Sequence, residues 1–397
     1  MGNCAPNARF PFLIHQKDRK TACFLPSCSG RILRELVEYT IKKEVILLIT
    51  DGKETRREKG LTGGDGRWIR VRRFLLALLL GFIVGGFGST ALAKAPVIGI
   101  AWRPNLKAAT FVDLCRSVEA AGGVCVVLDQ VLSPDLSYDD DRRLTKNVTE
   151  AGILDAAGAK LVRCNTWHGS NAADAVRDVD FVMFPGGEDI SPTLYYRPEP
   201  WFNNGEDKDF SAERDVSDYL LMTYCLDHDI PLLAICRGMQ MLSVVSGAEF
   251  AQDIPAYFRG MGRDHRYEHR APKPAPGANR GFARHDVTVL PGSRLYEMAE
   301  TGTLRNVPSW HHQCVRNVDN TRLAVTGIAT TDGVELIEAV ERTDKTFAVG
   351  LQFHPETAIG KNLDDAADKD DFLPYDTAMA LFTWIVEEAY AWQREAA

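Results

Sequence analysis

The chain has 397 residues, 45% of them hydrophobic and 25% charged, an ordinary globular composition with enough apolar side chains for a sizeable core. Its net charge of -8 is unevenly distributed. Residues 1–93 carry +8, from 16 basic and 8 acidic residues, and the remainder carries -16, from 30 basic and 46 acidic residues. Because residues 94–397 are acidic, they repel polyanions, and we do not expect the protein to bind nucleic acid. The nine cysteines follow no Cys-x-x-Cys or zinc-motif spacing and do not indicate a disulfide framework.

A basic run at residues 67–73 precedes an apolar run at 74–88, and small residues stand at Ala91 and Ala93. This order is typical of a secretory signal peptide. If they are not cleaved, residues 67–93 would form a membrane anchor. We expect no other segment to contact the membrane. We therefore expect an exported, periplasmic protein, with a membrane-anchored or cytoplasmic protein as the alternatives.

Residues 1–66 precede this segment, although a signal peptide normally begins a chain. We interpret them as an N-terminal extension, and a translation start near Leu61 or Val71 would account for them. The predicted globular domain covers residues 95–397.

Within that domain, short apolar runs alternate with helix-like segments. Strands are predicted at 96–100, 124–128, 180–184 and 231–235, and helices at 110–121 and 212–228. This alternation predicts a parallel sheet covered on both faces. The rest of the domain is predicted to contain a long loop at 257–283, strands at 287–289, 335–339 and 348–352, and a closing amphipathic helix at 376–390.

The strongest local signal surrounds Cys236. Ala234-Ile235-Cys236-Arg237-Gly238 follows an apolar strand and precedes a helix, the pattern of a nucleophile elbow. Such a turn is tight, so its neighbours must be small, and the helix N-terminus lowers the pKa of the thiol. A buried structural cysteine is the alternative, and the glycine at 238 favours a nucleophile.

A base and its orienting group follow the strand that ends near Phe353. His354 and Glu356 are two residues apart, a spacing at which both side chains of an extended chain point the same way. The carboxylate would then hold the imidazole in one tautomer.

An acyl-transfer site also needs backbone N–H groups for an oxyanion. The amide of Arg237 directly follows the nucleophile. The run Pro185-Gly186-Gly187 offers a second donor, because glycine permits close approach of the backbone to a substrate.

Four segments, in register, resemble one known family. They are Cys-Arg-Gly-Met-Gln from Cys236, Pro-Gly-Gly-x-Asp-Ile-x-Pro-x-x-Tyr from Pro185, Ser-Trp-His-His-Gln from Ser309 and Val-Gly-x-Gln-Phe-His-Pro-Glu from Val349. The chain is similar in these to the γ-glutamyl-γ-aminobutyrate hydrolase family. That family belongs to the class I glutamine amidotransferase superfamily and to the γ-glutamyl hydrolase peptidases.

The resemblance implies a flavodoxin-like three-layer α/β sandwich with its active site at the carboxyl ends of the strands. The family's nucleophile, base and third member fall on Cys236, His354 and Glu356. Its oxyanion hole falls on the amides of Gly187 and Arg237. Near the family's substrate pocket, the matching residues are Gln240 and His311.

Histidine pairs also raise the question of a metal. His265 and His269 are four residues apart, and His311 and His312 are adjacent. The first pair stands in a segment rich in Gly and Arg, with no clustered third ligand apparent in the sequence. We therefore expect solvated or substrate-facing histidines, with no metal and no organic cofactor.

The sequence thus predicts a cysteine hydrolase that cleaves γ-glutamyl amide bonds of a small molecule through a thioester. One alternative is the glutaminase subunit of an ammonia-channelling synthase. Such subunits more often read Cys-Leu-Gly-His-Gln at the nucleophile. The other alternative is a non-catalytic binding protein of the same fold. The sequence leaves the amine leaving group and the oligomeric state open.

Overall fold

The computed structural model describes residues 94–198, 209–275, 278 and 280–396. Lys94–Ala397 form one compact unit. The predicted extension at 1–66 and the predicted signal peptide or anchor at 67–93 lie outside the described residues. Among the helices of the described part, none combines the length and the apolar composition needed to cross a bilayer.

The described residues contain eleven strands. They are β1 (Val97–Ile100), β2 (Val124–Val127), β3 (Phe181–Phe184), β4 (Leu232–Ile235), β5 (Glu249–Ala251), β6 (Ala283–Val289), β7 (Thr303–Ser309), β8 (Cys314–Asn317), β9 (Leu323–Thr331), β10 (Val334–Arg342) and β11 (Ala348–Leu351).

The α-helices of the same residues alternate with the early strands and close the chain. They are α1 (Ala109–Ala120), α2 (Ala156–Asn165), α3 (Ala172–Ala175), α4 (Ala212–Asp227), α5 (Arg237–Ser246), α6 (Ile254–Gly260), α7 (Arg294–Ala299), α8 (Pro355–Leu363) and α9 (Tyr375–Ala396).

Nine strands form one sheet in the order β2-β1-β3-β4-β11-β10-β9-β6-β7. Strands β2, β1, β3, β4 and β11 are parallel, as the sequence predicted. Strands β10, β9, β6 and β7 continue the sheet with antiparallel pairing, which the sequence analysis did not anticipate. Strands β5 and β8 form a separate antiparallel pair.

Strands β3, β4 and β11 are buried on both faces, so successive strand residues enter different cores. Phe184 and Ala234 pack with helices α4 and α5 on one face. Phe181 and Leu233 pack with α1, α8 and α9 on the other. This arrangement is the three-layer α/β sandwich that was expected, since a sheet covered on both faces must present apolar side chains to each.

Two features differ from the sequence prediction. The segment predicted as a loop from residue 257 begins inside helix α6, which Asp253 caps by accepting a hydrogen bond from the Ala256 N–H at 2.7 Å. Cys115 of α1 and Cys125 of β2 form a disulfide. Their separation in the sequence gave no sign of it, because the bond depends on α1 folding back across β2.

Candidate active site

Cys236 lies on a tight strand-to-helix turn. It follows β4 directly, serves as the N-cap of α5 and has φ of 51° and ψ of -105°, a strained conformation for a residue with a side chain. Two residues later, a Cβ at Gly238 would lie 2.3 Å from the carbonyl oxygen of Phe184. The close approach of α5 to β3 therefore requires the glycine that the elbow pattern predicted.

His354 is brought beside this turn by strand pairing. Strands β4 and β11 are parallel, with Ile235 opposite Leu351, so both strands end at the same edge of the sheet. The Cys236 N–H donates to the Leu351 carbonyl at 2.6 Å, and the His354 N–H donates to the Pro308 carbonyl at 2.8 Å. These backbone hydrogen bonds thus fix the positions of Cys236 and His354.

The side chains of His354 and Glu356 form a close pair. His354 Nδ1 lies 2.6 Å from Glu356 Oε1, and both residues are buried. Burial disfavours the imidazolium, but Glu356 and Cys236 outweigh it and raise the pKa of His354 to about 10. The arrangement stabilises a positive imidazole next to the Cys236 sulfur.

Gly186 packs against both groups. A Cβ built there would lie 2.7 Å from His354 Cε1 and 3.4 Å from Cys236 Cβ. The backbone after β3 therefore reaches the space between the thiol and the imidazole, which only a residue without a side chain permits.

Two arginines hold the segment after β3 from beneath. Arg214 Nη2 donates to the carbonyls of Pro185 at 2.8 Å and Gly186 at 3.0 Å, and Arg103 Nη1 donates to Gly186 at 3.4 Å. A trans peptide places its N–H opposite its C=O, so the Gly187 N–H points away from these arginines. Gly187 has φ of 149°, and a Cβ there would lie 2.0 Å from Arg214 Nη1.

The arginines belong to a buried ionic network of three cations and three carboxylates. It consists of Arg103, Arg214, Arg237, Glu188, Asp215 and Asp218. Burial alone would raise the pKa of Glu188, but Arg214 and Arg237 outweigh it and lower that pKa to about 2. The guanidinium of Arg237 pairs with Asp215 Oδ1 at 2.6 Å and with Asp218. Its side chain thus anchors the first turn of α5 while its amide remains beside Cys236.

Gln240 and His311 occupy different places. Gln240 lies one turn along α5 from Cys236 and donates weakly to the Gln313 carbonyl at 3.5 Å and to Gln352 Oε1 at 3.4 Å. The ring of His311 is buried with His269 and Glu338. The structure therefore places His311 in a histidine–carboxylate cluster, and its role in substrate binding stays a prediction.

The expectation of solvated histidines is wrong for three of them, and a substrate-facing role stays a prediction. His269 and His311 are buried rather than solvated, and a third potential ligand, Glu338, accompanies them. Sequence spacing missed it because Glu338 lies on the distant strand β10. His312 is also buried and pairs through Nε2 with Asp189 Oδ2 at 3.0 Å, just after the Gly-Gly run. Burial opposes its charge, but Asp189 raises the pKa of His312 to about 9.

Phe282 separates His354 from an open cleft. Its ring meets the His354 imidazole edge-on, with centroids 5.5 Å apart, and also lines a cleft of about 540 Å³. Arg284 and Asp371 line the same cleft and pair with each other at 2.9 Å. The loop before β6 thus forms a wall of the site.

Asp113 is a neighbour that the sequence did not reveal. Helices α1 and α8 pack so closely that a Cβ at Gly360 would lie 2.2 Å from Asp113 Cγ. Burial, then the nearby Glu356, raises the pKa of Asp113 to about 6. Nothing in the local sequence of α1 distinguishes this carboxylate from a surface one.

A cysteine on a strained elbow, next to a His–Glu pair at the carboxyl ends of parallel strands, defines an α/β protein of the class I glutamine amidotransferase type. A model of the peptidase C26 family matches residues 123–356, more than half of the chain. The chain belongs to the peptidase C26 family, which places it among hydrolases.

The individual relatives share about a third or less of their residues with this chain. Protein NtpR of Enterococcus hirae is 31% identical over 202 residues, 51% of this chain and 77% of that protein. The γ-glutamyl-γ-aminobutyrate hydrolase of Escherichia coli O157:H7 is 31% identical over 179 residues, 45% of this chain and 64% of that enzyme. A solved glutamine amidotransferase from Thermotoga maritima is 15% identical, with a TM-score of 0.38, covering 74% of this chain and 96% of its own. The family assignment rests on the sequence matches.

Proposed function

We propose that the protein hydrolyses γ-glutamyl amide bonds, with Cys236 as nucleophile, His354 as acid and base, and Glu356 as the group that orients the imidazole. The observation that carries this proposal is the meeting of the Cys236 elbow with the His354–Glu356 pair, in which Nδ1 and Oε1 are 2.6 Å apart. Glu356 fixes Nδ1, which leaves the other ring nitrogen for proton transfer.

The reaction has two halves. The Cys236 thiolate attacks the γ-carbonyl carbon and forms a tetrahedral oxyanion. His354 then gives its proton to the amine, the C–N bond breaks, and a thioester remains. His354 next removes a proton from water, whose oxygen attacks the thioester, and the thiolate leaves with glutamate as the acid product. Over the whole cycle, His354 gives up one proton and regains one, and the Cys236 thiolate is restored.

The oxyanion is proposed to lie between the amides of Gly187 and Arg237. The direction of the Gly187 N–H supports this, because Arg214 and Arg103 hold the preceding carbonyl on the opposite side. The Arg237 amide is the first N–H of α5, whose dipole favours negative charge. Two donors fixed before the reaction begins lower the barrier most effectively.

The γ-glutamyl specificity is supported by the relative from Escherichia coli, named a γ-glutamyl-γ-aminobutyrate hydrolase. The test is a hydrolysis screen of γ-glutamyl-γ-aminobutyrate, glutamine and γ-glutamyl peptides with the full chain. We expect Cys236→Ala to lower turnover at least about 10³-fold. Cys164→Ala is the matched control, since Cys164 is an exposed cysteine outside the disulfide. Equal turnover in wild type and Cys236→Ala would remove the thiol from the mechanism.

We also propose that the protein works in an oxidising compartment outside the cytoplasm, after export through residues 67–93. The disulfide between Cys115 and Cys125 supports this location, because disulfides persist in such compartments. Cell fractionation followed by thiol alkylation provides the test. We expect the protein in the periplasmic fraction with Cys115 and Cys125 protected. Recovery from the cytoplasm with both thiols free would contradict the proposal.

A further inference from the structure

A second cluster of reactive side chains lies in the antiparallel half of the sheet. It contains His269 from the loop before β6, His285 on β6, His311 after β7 and Glu338 on β10. Their exposed fractions are 0%, 9%, 3% and 0%. The proposed hydrolysis uses none of these groups.

The ring tautomers leave lone pairs facing the carboxylate. His285 Nδ1 is 3.1 Å from the Glu268 carbonyl, and His311 Nδ1 is 2.9 Å from the Gln313 carbonyl. A carbonyl only accepts hydrogen bonds, so each Nδ1 carries the proton. In a neutral ring, Nε2 then presents a lone pair, and in both residues that Nε2 faces Glu338.

These opposing lone pairs are close and unsatisfied. Glu338 Oε2 lies 3.2 Å from His285 Nε2, and Glu338 Oε1 lies 3.4 Å from His311 Nε2 and 3.2 Å from His269 Nδ1. Among the described residues, none of these contacts has the geometry of a hydrogen bond. A buried carboxylate is stable only when it is paired or bound, and a cation between the carboxylate and the rings would satisfy both.

We propose that His269, His311 and Glu338 bind one divalent transition-metal ion of the zinc type, with His285 beside the second carboxylate oxygen of Glu338. Ligands at about 2.05 Å from a tetrahedral centre are about 3.3 Å apart. Glu338 Oε1 lies 3.2 Å from His269 Nδ1 and 3.4 Å from His311 Nε2, close to that value. His311 already donates its other ring nitrogen to a backbone carbonyl, as metal-bound histidines do. Two imidazoles and one carboxylate suit zinc better than calcium or magnesium.

The ion would lie in a buried site. It joins three segments that are distant in the sequence, and two of them carry parts of the active-site wall. The loop of His269 continues to Phe282, whose ring contacts His354. His311 adjoins His312, which pairs with Asp189. The metal therefore stabilises the wall without touching the reacting atoms.

The test measures metal in the full-length protein and needs no assay of hydrolysis. After dialysis against zinc and then against buffer, elemental analysis should give about one ion per wild-type chain and below about 0.1 for Glu338→Gln. Glu335→Gln is the matched control, because Glu335 is exposed on the same strand, and it should retain about one ion.

A second measurement covers the case in which Glu338→Gln does not fold. Replacing the ion by Co²⁺ in wild type should give the visible bands of a tetrahedral site with nitrogen ligands. Chelator should remove these bands and lower the melting temperature. Wild type without metal or cobalt bands, or a folded Glu338→Gln with a full ion, would show a metal-free cluster and overturn the proposal.

Discussion

At Gly186 the backbone touches both Cys236 and His354. A methyl group there would lie 2.7 Å from His354 Cε1, a distance that forces the ring to move. We expect Gly186→Ala to lower kcat/KM about 100-fold, because a shift of about 1 Å in the imidazole costs that much. Steady-state kinetics on the preferred γ-glutamyl substrate would measure it.

The matched control is Gly281→Ala in the loop before β6. A Cβ at Gly281 has open space around it, so activity should stay within about twofold of wild type. Full activity in a folded Gly186→Ala protein would mean that the imidazole need not occupy this position.

Asp113 predicts a pH dependence of stability. Burial and Glu356 raise its pKa from 3.8 to about 6, so the folded chain holds a proton that the unfolded chain releases between those values. The charged form therefore destabilises the folded state increasingly as pH rises through this window. Asp113→Asn should leave the free energy of unfolding unchanged at pH 3.5 and increase it by about 1 kcal/mol at pH 8, a figure reduced because Asp113 is only half-buried.

Urea midpoints at the two pH values would measure this effect. Glu119→Gln is the control, as Glu119 is an exposed carboxylate on the same helix. A stabilisation of Asp113→Asn that is equal at both pH values would show that its charge is not the cause.

At the level of single residues, the sequence predicted those on chain-local motifs. Cys236 and Gly238 share one turn, and His354 and Glu356 are two residues apart, so each pattern is visible in a short window. Asp113 and Glu338 were missed because their partners come from other elements. Their importance depends on packing that no local pattern encodes.

Among the elements, the segment after β3 depends on a side chain from α4. Arg214 binds the carbonyls of Pro185 and Gly186 with one nitrogen and Glu188 with another. A lysine retains the charge but cannot reproduce the fork of a guanidinium. We expect Arg214→Lys to lower kcat about 10–100-fold with little change in KM, since the oxyanion donors act mainly in the transition state.

The split between kcat and KM distinguishes this positioning role from a general loss of structure. Arg177→Lys, at an exposed arginine, should leave both constants unchanged. A smaller yield of folded protein, with a normal kcat per folded molecule, would show that Arg214 only stabilises the fold.

The predicted elements were most accurate where strands are buried on both faces. Strands β1, β3 and β4 are continuous apolar runs, and their bounds agree with the sequence within one residue at each end. Strand β6 alternates buried and exposed residues, and only its last three positions were predicted. Its remaining residues, including Arg284 and His285, are polar and obtain their strand conformation from pairing with β7.

On the scale of the whole molecule, the sheet divides the proposed roles. The parallel half supplies the ends of β4 and β11, where Cys236 and His354 meet. The antiparallel half supplies Glu338 of the proposed metal site and His285, which contacts the second oxygen of Glu338. Strands β10 and β11 are direct neighbours, so the two halves form one continuous support. A structural change in the antiparallel half can therefore shift the residues that form the wall of the active site.

The disulfide provides the last prediction. Cys115 and Cys125 are 10 positions apart, and closing so short a loop stabilises the fold by up to about 3 kcal/mol in the chain-entropy model. Reduction by a phosphine should lower the melting temperature of wild type by roughly 5 °C.

The double variant Cys115→Ala, Cys125→Ala should melt at the lower temperature with or without reductant. It should retain activity, because strands β1 and β3 lie between β2 and β4, the strand that ends at Cys236. A reductant effect of the same size in the double variant would assign it to another cysteine. An unchanged melting temperature in reduced wild type would mean that the packing of α1 across β2 suffices without the bond.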